Sequence, residues 1–444
     1  MRRPVVIGAA LGLGLVGAGA ASSLIGSLPP AQSSATPGFS ARVESTALYC
    51  TGLGTGVGAG HVVFTNLTGT PRELSVQVVA DSGQSESRGV ALGPHASTSV
   101  VPQNWVADGH YYGVSAIVSG GGVVGAEVTT SATGVAPCSA QGEVSWVAAG
   151  FSTQVGSSAL ISLLNPSATP AVVNLTTMSA NGFAAPAPFQ GLAVGPHAEV
   201  TVDLGKQVVD TDNVGVRLNV VHGAVVALGV QSGPGGTSFD VGQAAASSHA
   251  DFPAVSTASG AIAQVRIANP NDAVAQLSVS VSVPGDQIAP LSLQVRGFST
   301  GVVSITPNTA IPPAGFAVVH VSANEPVVTG LALGAGTSLG LSAPSALARQ
   351  WLLSDFSGRG FAKVFLGAPA GPAVHVTVTD LLSARSARAS LSGASVRDLR
   401  SLVSGFSSLR GASVLVTSDR PISLTSLLPV GKVEPVVASA LYGR

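Results

Sequence analysis

Along most of the chain, hydrophobic residues alternate with polar or small ones in runs of about five to eight residues, and turn-forming residues end each run. The stretch from Val172 to Thr177 is typical. In an extended strand successive side chains point to opposite faces, so each run predicts a β-strand with one buried face. Helical periodicity is rare. The pattern therefore predicts an all-β protein.

The strand pattern recurs about every hundred residues, which predicts tandem structural repeats. An asparagine follows an early strand at Asn66, Asn165 and Asn269, and Ala368 holds this place in the fourth copy. A second landmark is a turn followed by aliphatic residues, at Val123, Val225, Val327 and Ile422. Because Asn, Gly and Pro favour tight turns, both landmarks predict hairpins. A Gly-Pro-His turn containing His95 or His197 lies between them, and its recurrence suggests a structural role for this turn.

These landmarks divide the chain into an N-terminal segment (1–26), a stalk (27–46) and repeats 1 to 4 (47–141, 142–245, 246–346 and 347–444). About seven strands per repeat favour tandem immunoglobulin-like or fibronectin-like β-sandwiches after an N-terminal export or anchor helix. A propeller blade would be about half as long. Aromatic residues open the repeats, and we predict core positions for them rather than ligand stacking: Tyr49, Trp146, Phe252 and Trp351.

One stretch departs from the strand pattern. Residues 395–403 carry apolar side chains three or four positions apart, at Val396, Leu399, Leu402 and Val403. This spacing predicts a short helix that crosses between the sheets of repeat 4.

The N-terminal segment has the features of an export signal. Arg2 and Arg3 precede an uncharged, mostly apolar stretch that runs from Pro4 to Pro30. The stretch is nearly long enough to span a bilayer and also contains a small-residue cleavage pattern at residues 18–20, so a retained anchor and a cleaved signal peptide both stay open. Either alternative places the repeats outside the cytoplasm, anchored to the membrane or secreted. The Ser- and Pro-rich residues 27–46 predict a flexible stalk.

Charged residues are scarce, at 9% of the chain, against about 25% in an average protein. Hydrophobic residues make up 45%, yet no apolar run beyond the N-terminal segment reaches the roughly 18 residues of a spanning helix. The surface must therefore consist largely of Ser, Thr, Gly and Ala. Such a surface argues against nucleic acid as a partner.

The charges are also unevenly distributed. Residues 43–348 contain six basic and sixteen acidic residues, whereas residues 349–444 contain eleven basic and five acidic ones. Repeat 4 is therefore a candidate contact for an anionic envelope polymer or an envelope protein. Its candidate binding residues are Arg385, Arg388, Arg397, Arg400 and Arg410.

The two cysteines, Cys50 and Cys138, bracket repeat 1 and predict a disulfide in an exported chain. Closing a loop of this length contributes on the order of 4 kcal/mol in the chain-entropy description. We predict no catalytic residue, metal site or cofactor. His249 and Asp251 have no defined nucleophile beside them, and Asp210 and Asp212 favour a solvated loop over a calcium site.

With its export segment, turn motif and aromatic openings, the chain resembles a family of uncharacterised exported actinobacterial proteins with tandem immunoglobulin-like β repeats. The resemblance is clearest at Asn165-Pro166-Ser167 and departs from the pattern at Asn66-Leu67 and Ala368-Pro369. It implies an envelope location and no known activity, and it supplies no catalytic residues.

The sequence favours a non-enzymatic exported cell-envelope protein that acts as a modular scaffold or spacer, with its four sandwiches arranged as a rod. The alternatives are a module that binds carbohydrate or an envelope polymer, and an accessory subunit of an envelope-building enzyme.

Overall fold

The computed structural model describes residues that all belong to one compact unit, residues 35–444. They are residues 41–42, 47–130, 134–234, 236–257, 261–283, 286–306, 308, 310–312, 315–335, 338–342, 348–354, 363–368, 372–381, 383–392, 396–398, 414–427 and 437–442. The predicted export segment, 1–26, lies outside this set. Within the set, no helix combines the length and apolar character needed to cross a membrane.

The described chain is all-β, as predicted, with one-turn 3-10 helices at Pro102–Asn104, Ala187–Phe189 and Leu204–Lys206. Repeat 1 comprises β2 (Ala47–Gly54), β3 (Gly60–Asn66), β4 (Arg72–Ala80), β5 (Ser85–Leu92), β6 (Ser97–Val100), β7 (Tyr111–Val118), β8 (Val123–Thr129) and β9 (Val135–Pro137), and β1 (Ala41–Arg42) precedes it. Repeat 2 comprises β10 (Ser145–Phe151), β11 (Ser158–Leu164), β12 (Ala171–Ser179), β13 (Gly182–Ala184), β14 (Leu192–Val194), β15 (Glu199–Asp203), β16 (Val214–His222), β17 (Val226–Gly233) and β18 (Gly236–Asp240).

The strands of the other two repeats are similar in order, but each of these repeats contains one long strand in place of two shorter ones. Repeat 3 comprises β19 (Ser247–Thr257), β20 (Ala261–Asn269), β21 (Ala275–Val283), β22 (Asp286–Gln287), β23 (Leu291–Val295), β24 (Ser299–Ser304), β25 (Gly315–Ala335) and β26 (Ser338–Ser342). Repeat 4 comprises β27 (Ala348–Ser354), β28 (Lys363–Gly367), β29 (Val374–Asp380), β30 (Ser386–Leu391), β31 (Val396–Asp398), β32 (Val414–Leu427) and β33 (Val437–Tyr442).

Each repeat distributes its strands over two sheets in one recurring order. In repeat 1 the sheets run β2-β7-β4-β5 and β6-β3-β8-β9, and in repeat 2 they run β10-β16-β12-β13, with β14 also on β12, and β15-β11-β17-β18. In repeats 3 and 4 the long strands β25 and β32 take part in both sheets, because each bends from one sheet into the other. All named strand pairs are antiparallel except β1 with β33, which is parallel. The described strands therefore form small antiparallel sheets in a sandwich-like arrangement.

The predicted hairpins are wrong. The strands on either side of each Asn turn, such as β3 and β4 or β11 and β12, lie in different sheets. The same holds for β7 and β8, which flank the second landmark in repeat 1. A turn-forming residue allows the chain to bend, but it does not determine which strand the following strand pairs with. Here the bend carries the chain over the core into the facing sheet, where the apolar faces of both strands can be buried.

The repeated asparagine holds this corner together. Asn165 is fully buried, and its Nδ2 donates to the carbonyls of Thr169 (2.8 Å), Val194 (3.0 Å) and Gly195 (2.9 Å). Its Oδ1 accepts from the backbone N–H and the hydroxyl of Ser167, both at 2.9 Å. Asn66 and Asn269 make equivalent bonds. The asparagine therefore satisfies the backbone of two turns at once, which a buried corner requires.

Asn165 bonds to its own turn and to a second turn, which contains the histidine of the Gly-Pro-His motif. His197 has a φ of 50°, and its backbone N–H donates to the carbonyl of Ser167 at 3.1 Å. His95 has the same left-handed backbone in repeat 1, with a φ of 54°. Both histidines thus hold the corner turn in place, in line with the predicted structural role.

The aromatic residues that open the repeats lie mostly in the core, as predicted. Trp146, Phe252 and Trp351 are buried, while Tyr49 is half-buried. The indole Nε1 of Trp146 donates to the carbonyl of Val241 (2.8 Å), and that of Trp351 donates to the carbonyl of Ile422 (3.0 Å). Satisfied and enclosed in this way, the two tryptophans are not available to stack on a ligand.

Two local predictions differ from the structure over the few residues that it describes. Val396–Asp398, the start of the predicted helix, forms β31 and pairs with β28, and residues 395 and 399–403 lie outside the described set. A few apolar residues at helical spacing do not distinguish a short helix from a strand when a sheet edge is free to pair. Ala41–Arg42, within the predicted stalk, forms β1 and pairs with β33. The remaining stalk residues lie outside the described set.

The repeats pack side by side. All seven residues of β8 and six of the seven in β11 are buried, so both faces of these strands are covered. Across the sequence, β2 lies against β11 and β17, β10 against β20 and β25, and β19 against β28 and β32. Val124 of repeat 1 packs with Leu352 and Leu381 of repeat 4. A rod in which only consecutive repeats touch is therefore wrong, and the covered outer faces help to explain why charged residues are scarce.

Candidate functional site

The predicted disulfide is present and links the two sheets of repeat 1. Cys50 lies in β2 and Cys138 just beyond β9, with their Cα atoms 4.6 Å apart. The neighbouring residues Tyr49 and Ser139 exchange two backbone hydrogen bonds of 2.7 Å. An oxygen of Glu127 and the two sulfur atoms lie within 4.8 Å of one another. Because the sulfurs are bonded to each other, they are not the thiolates that a metal would need.

The candidate arginines are only partly described. Arg385 and Arg388 are exposed, the first just before β30 and the second within it. The backbone of Arg397 lies in β31, but its side chain, Arg400 and Arg410 lie outside the described set. A basic face in repeat 4 stays a prediction.

Asp251 and His249 meet a residue that sequence reasoning missed. Asp251 Oδ1 lies 2.7 Å from His320 Nδ1, and the rings of His249 and His320 stack with their centroids 5.9 Å apart. The hydrogen bond that the His320 ring donates to the Asp251 carboxylate raises the pKa of His320 above its usual value. Both partners are about half-exposed on an open strand surface, which encloses no substrate. This pair is better explained as a surface ion pair than as part of an active site.

A buried polar cluster joins repeats 1 and 2. The Thr51 hydroxyl lies 2.7 Å from Glu199 Oε2 and 3.0 Å from the hydroxyl of Ser162, which in turn donates to Glu199 Oε1. On the other side, the Thr51 backbone N–H donates to Glu127 Oε1 at 2.6 Å. All four residues are buried. Two carboxyl groups, one from each repeat, therefore meet in the interior of this junction.

Both carboxyl groups favour the protonated form. Burial raises the pKa of Glu199 to about 8, although its hydrogen bonds with Ser162 and Thr51 oppose the shift. Burial likewise raises the pKa of Glu127 well above its usual value, and the nearby Glu199 adds to the effect. A neutral carboxyl group can both donate and accept hydrogen bonds, so the junction is held by hydrogen bonds rather than by charge.

An ion pair joins repeats 2 and 3. The Arg266 side chain is 1% exposed, and its Nη1 donates to Asp212 Oδ1 (2.7 Å) and to the carbonyl of Gly150 (3.0 Å). Its Nη2 donates to Asp212 Oδ2 (3.2 Å) and to Gln264 Oε1 (3.1 Å). Such a bidentate ion pair fixes the relative orientation of the two side chains as well as their distance.

The loop that contains Asp212 is exposed at Asp210 and Asp212, as predicted from the sequence, but it also contacts repeat 3, which the sequence did not predict. Asn213 is buried and donates from Nδ2 to the carbonyl of Gly301 in repeat 3, at 2.8 Å. The partner arginine lies in another repeat, and no spacing rule relates the two positions. A charged residue within the apolar strand Ala261–Asn269 was the one available signal.

The two junctions join repeat 1 to repeat 2 and repeat 2 to repeat 3, and each contains buried polar side chains, although Asp212 is itself 42% exposed. Moving repeat 2 relative to repeat 3 would leave a buried guanidinium without its carboxylate, and such a loss is costly. Moving repeat 1 relative to repeat 2 would break a network of buried hydrogen bonds. The arrangement can therefore hold surfaces at fixed positions.

Residues 132–397, more than half of the chain, match a family described as a family of unknown function, DUF5719. The chain belongs to the DUF5719 family. The DUF5719 match contains the Arg266–Asp212 pair and Glu199, whereas Thr51 and Glu127 precede it. Membership of an uncharacterised family is thereby confirmed, while export, an actinobacterial origin and immunoglobulin-like repeats stay predictions.

No curated protein matches the chain. Among solved structures, the crystal structure of Thermotoga maritima 1070 is similar at 14% identity, covering 22% of this chain and 89% of that one. Its TM-score of 0.20 supports no conclusion about fold or function.

Proposed function

We propose that this protein is a non-enzymatic, exported cell-envelope protein that acts as a scaffold or spacer by holding its repeats in a fixed arrangement. The observation that carries the proposal is the Arg266–Asp212 pair, in which a buried arginine of repeat 3 depends on a carboxylate of repeat 2. Repeats on flexible linkers would not bury such groups against each other. The fixed arrangement is the property that a scaffold needs.

The proposed setting is the outer side of the membrane. Residues 1–26 serve as a signal peptide or an anchor, and the repeats are exposed beyond the membrane. The disulfide supports this setting, because disulfides persist in oxidising compartments.

We also propose that each repeat is a variant of the immunoglobulin-like sandwich. In repeat 1 the second strand pairs with the fifth and the third with the sixth, as β3 with β6 and β4 with β7. These pairings correspond to strands B with E and C with F of an immunoglobulin domain. The first and seventh strands differ, since β2 pairs with β7 and β8 pairs with β3. The Asn turn between β3 and β4 crosses between sheets as the B–C connection of an immunoglobulin domain does, whereas the crossing from β7 to β8 follows from the different position of the seventh strand.

A second candidate is binding of an anionic envelope polymer by repeat 4, either alone or as an accessory subunit of an envelope-building enzyme. The exposure of Arg385 and Arg388 beside the edge strand β30 favours it. Free guanidinium groups at an edge can contact a polyanion without rearrangement.

Complementation of a gene deletion in the native host tests the proposed role. We expect the deletion to raise envelope permeability to a fluorescent dye and the wild-type gene to restore the barrier. The junction variant D212N, exported at an equal level, should restore it poorly, because the repeats lose their fixed arrangement. The single variants D251N and H320Q, each of which alters the exposed His–Asp pair, should restore the barrier fully.

An intact barrier after deletion, or full restoration by D212N, would contradict the scaffold role. Failure of a stable, exported D251N protein would instead favour an enzymatic role. Selective failure of an R385M/R388M protein would favour polymer binding by repeat 4.

A further inference from the structure

A groove of about 450 Å³ lies between repeats 2 and 3 and takes no part in the scaffold role proposed above. Its floor is the outer face of β12 and β16, where Asn174 lies opposite Asn219 and Thr176 opposite Arg217. Phe183 on β13, the turn residues Pro270 and Phe298 of repeat 3, and Met178 and Gln190 also line it. This volume falls within the roughly 300–1,000 Å³ of small-molecule sites.

One end of the groove is aromatic. Phe183 is 54% exposed and Phe298 is 40% exposed, and their rings pack with centroids 5.9 Å apart and a tilt of 58°. Large apolar side chains left exposed side by side often mark a binding surface. The pair offers an apolar platform at the edge of an otherwise polar strand surface.

Phe298 also interrupts the repeat pattern. It lies in the corner turn with a φ of 52°, and its N–H donates to the carbonyl of Asn271 at 2.9 Å. Repeats 1 and 2 have a histidine in the same conformation, at His95 and His197. A bulky side chain in left-handed backbone is strained, and such strain concentrates at functional sites. The phenylalanine thus replaces histidine in the repeat whose turn borders the groove.

The other end of the groove is polar and carries a positive charge. The exposed Arg217 takes part in none of the ion pairs found among the described residues. Asn174 accepts a hydrogen bond from the Gly191 N–H at Oδ1 (2.7 Å), which orients its Nδ2 as a donor. The groove therefore presents an amide and a guanidinium group beside an aromatic platform.

The two walls are held in place before any ligand arrives. Arg296 of repeat 3 donates from Nη2 to the carbonyl of Ala180 in repeat 2, at 3.0 Å. The Arg266–Asp212 pair fixes the same two repeats from within. A site formed in advance spares a ligand the entropic cost of ordering it.

We propose that this groove binds an oligosaccharide that carries carboxylate groups. A sugar ring has an apolar face of C–H groups, which suits the Phe183–Phe298 platform, and a rim of hydroxyl groups, which suits the side-chain amides. A guanidinium group binds carboxylate through paired hydrogen bonds, so Arg217 accounts for the acidic sugar. One ligand class thereby uses both ends of the groove.

Calorimetric titration of the full-length protein tests the proposal with three probes: tetramers of galacturonate, glucuronate and mannuronate. The methyl ester of each tetramer is the control that removes the carboxylate charge. We expect at least one tetramer to bind, with its ester about tenfold weaker or more. R217M should remove the preference for the free acid, and F183T or F298N should weaken both forms about tenfold. F298N retains a residue type that tolerates left-handed backbone.

Arg388, an exposed arginine of repeat 4, supplies the matched control. The variant R388M should bind the tetramers as the wild type does. Loss of binding in R388M, with R217M unaffected, would transfer the site to repeat 4 and overturn the proposal. It is also overturned if none of the three tetramers binds, or if folded R217M and F183T proteins bind like the wild type. The scaffold role is tested by D212N and does not depend on these outcomes.

Discussion

Replacing Asp212 by asparagine is expected to lower the free energy of unfolding by about 3 kcal/mol. Arg266 is 1% exposed, and Asp212 is its one ionic partner among the described residues. The amide keeps the shape of the carboxylate but removes its charge, so a buried guanidinium remains without compensation. The carbonyl of Gly150 and the side chain of Gln264 stay in place but carry no charge. Chemical denaturation of the two proteins at neutral pH measures the difference.

Asp210 provides a matched control in the same loop. It is exposed and has a φ of 47°, a conformation that asparagine tolerates, so D210N should change stability little. The double variant D212N/R266M should recover much of the loss, because it removes the buried charge altogether. If D212N were as stable as D210N, the ion pair would not hold the repeats together.

The second large effect is a loss of stability as the pH rises. Burial raises the pKa of Glu199 to about 8 in the folded protein, whereas the unfolded chain ionises near 4.5. Between these values the folded state binds the extra proton, so its stability is fully present below about pH 4.5 and falls as the pH rises towards 8. One proton gives a slope of about 1.4 kcal/mol per pH unit, so the loss between pH 5 and 8 is on the order of 4 kcal/mol. Glu127 acts in the same direction.

Glutamine does not titrate, so replacing Glu199 by glutamine should remove the contribution of this residue to the fall in stability with pH. The amide Nε2 can donate to the Thr51 hydroxyl while Oε1 still accepts from Ser162, so the network stays satisfied. Denaturation at pH 5, 6.5 and 8 should show a shallower decline for E199Q and a more stable protein at pH 8. E73Q, at an exposed glutamate, should decline like the wild type. Stability that is constant or increasing from pH 5 to 8 would contradict the neutral junction.

Features set by local chemistry could be predicted from the sequence. Trp146 is too large and apolar to leave exposed at the start of a repeat, and Cys50 had Cys138 as its one possible partner within the chain. Asn165 marked a turn because its side chain bonds to nearby backbone. Each of these inferences depends on residues that are close in sequence or unique in the chain.

Features set by partner choice could not be predicted. The turn after Asn165 looks the same whether β12 returns beside β11 or crosses to the facing sheet, so the hairpin prediction had no means of separating the two. Alternating hydrophobic and polar residues predict strands with one buried face. They therefore do not reveal a strand such as β11, whose outer face is also buried, by another repeat. Arg266 and Asp212 are 54 residues apart, and only the packing of repeats 2 and 3 brings them together.

Differential scanning calorimetry of the exported, disulfide-bonded protein tests the central claim, that buried junctions make the repeats one body. We expect one transition, with a calorimetric enthalpy equal to the van't Hoff enthalpy. In D212N the same transition should move to lower temperature or divide into two at the weakened junction. Several independent transitions in the wild-type protein, with D212N unchanged, would show that the repeats unfold separately and would contradict the claim.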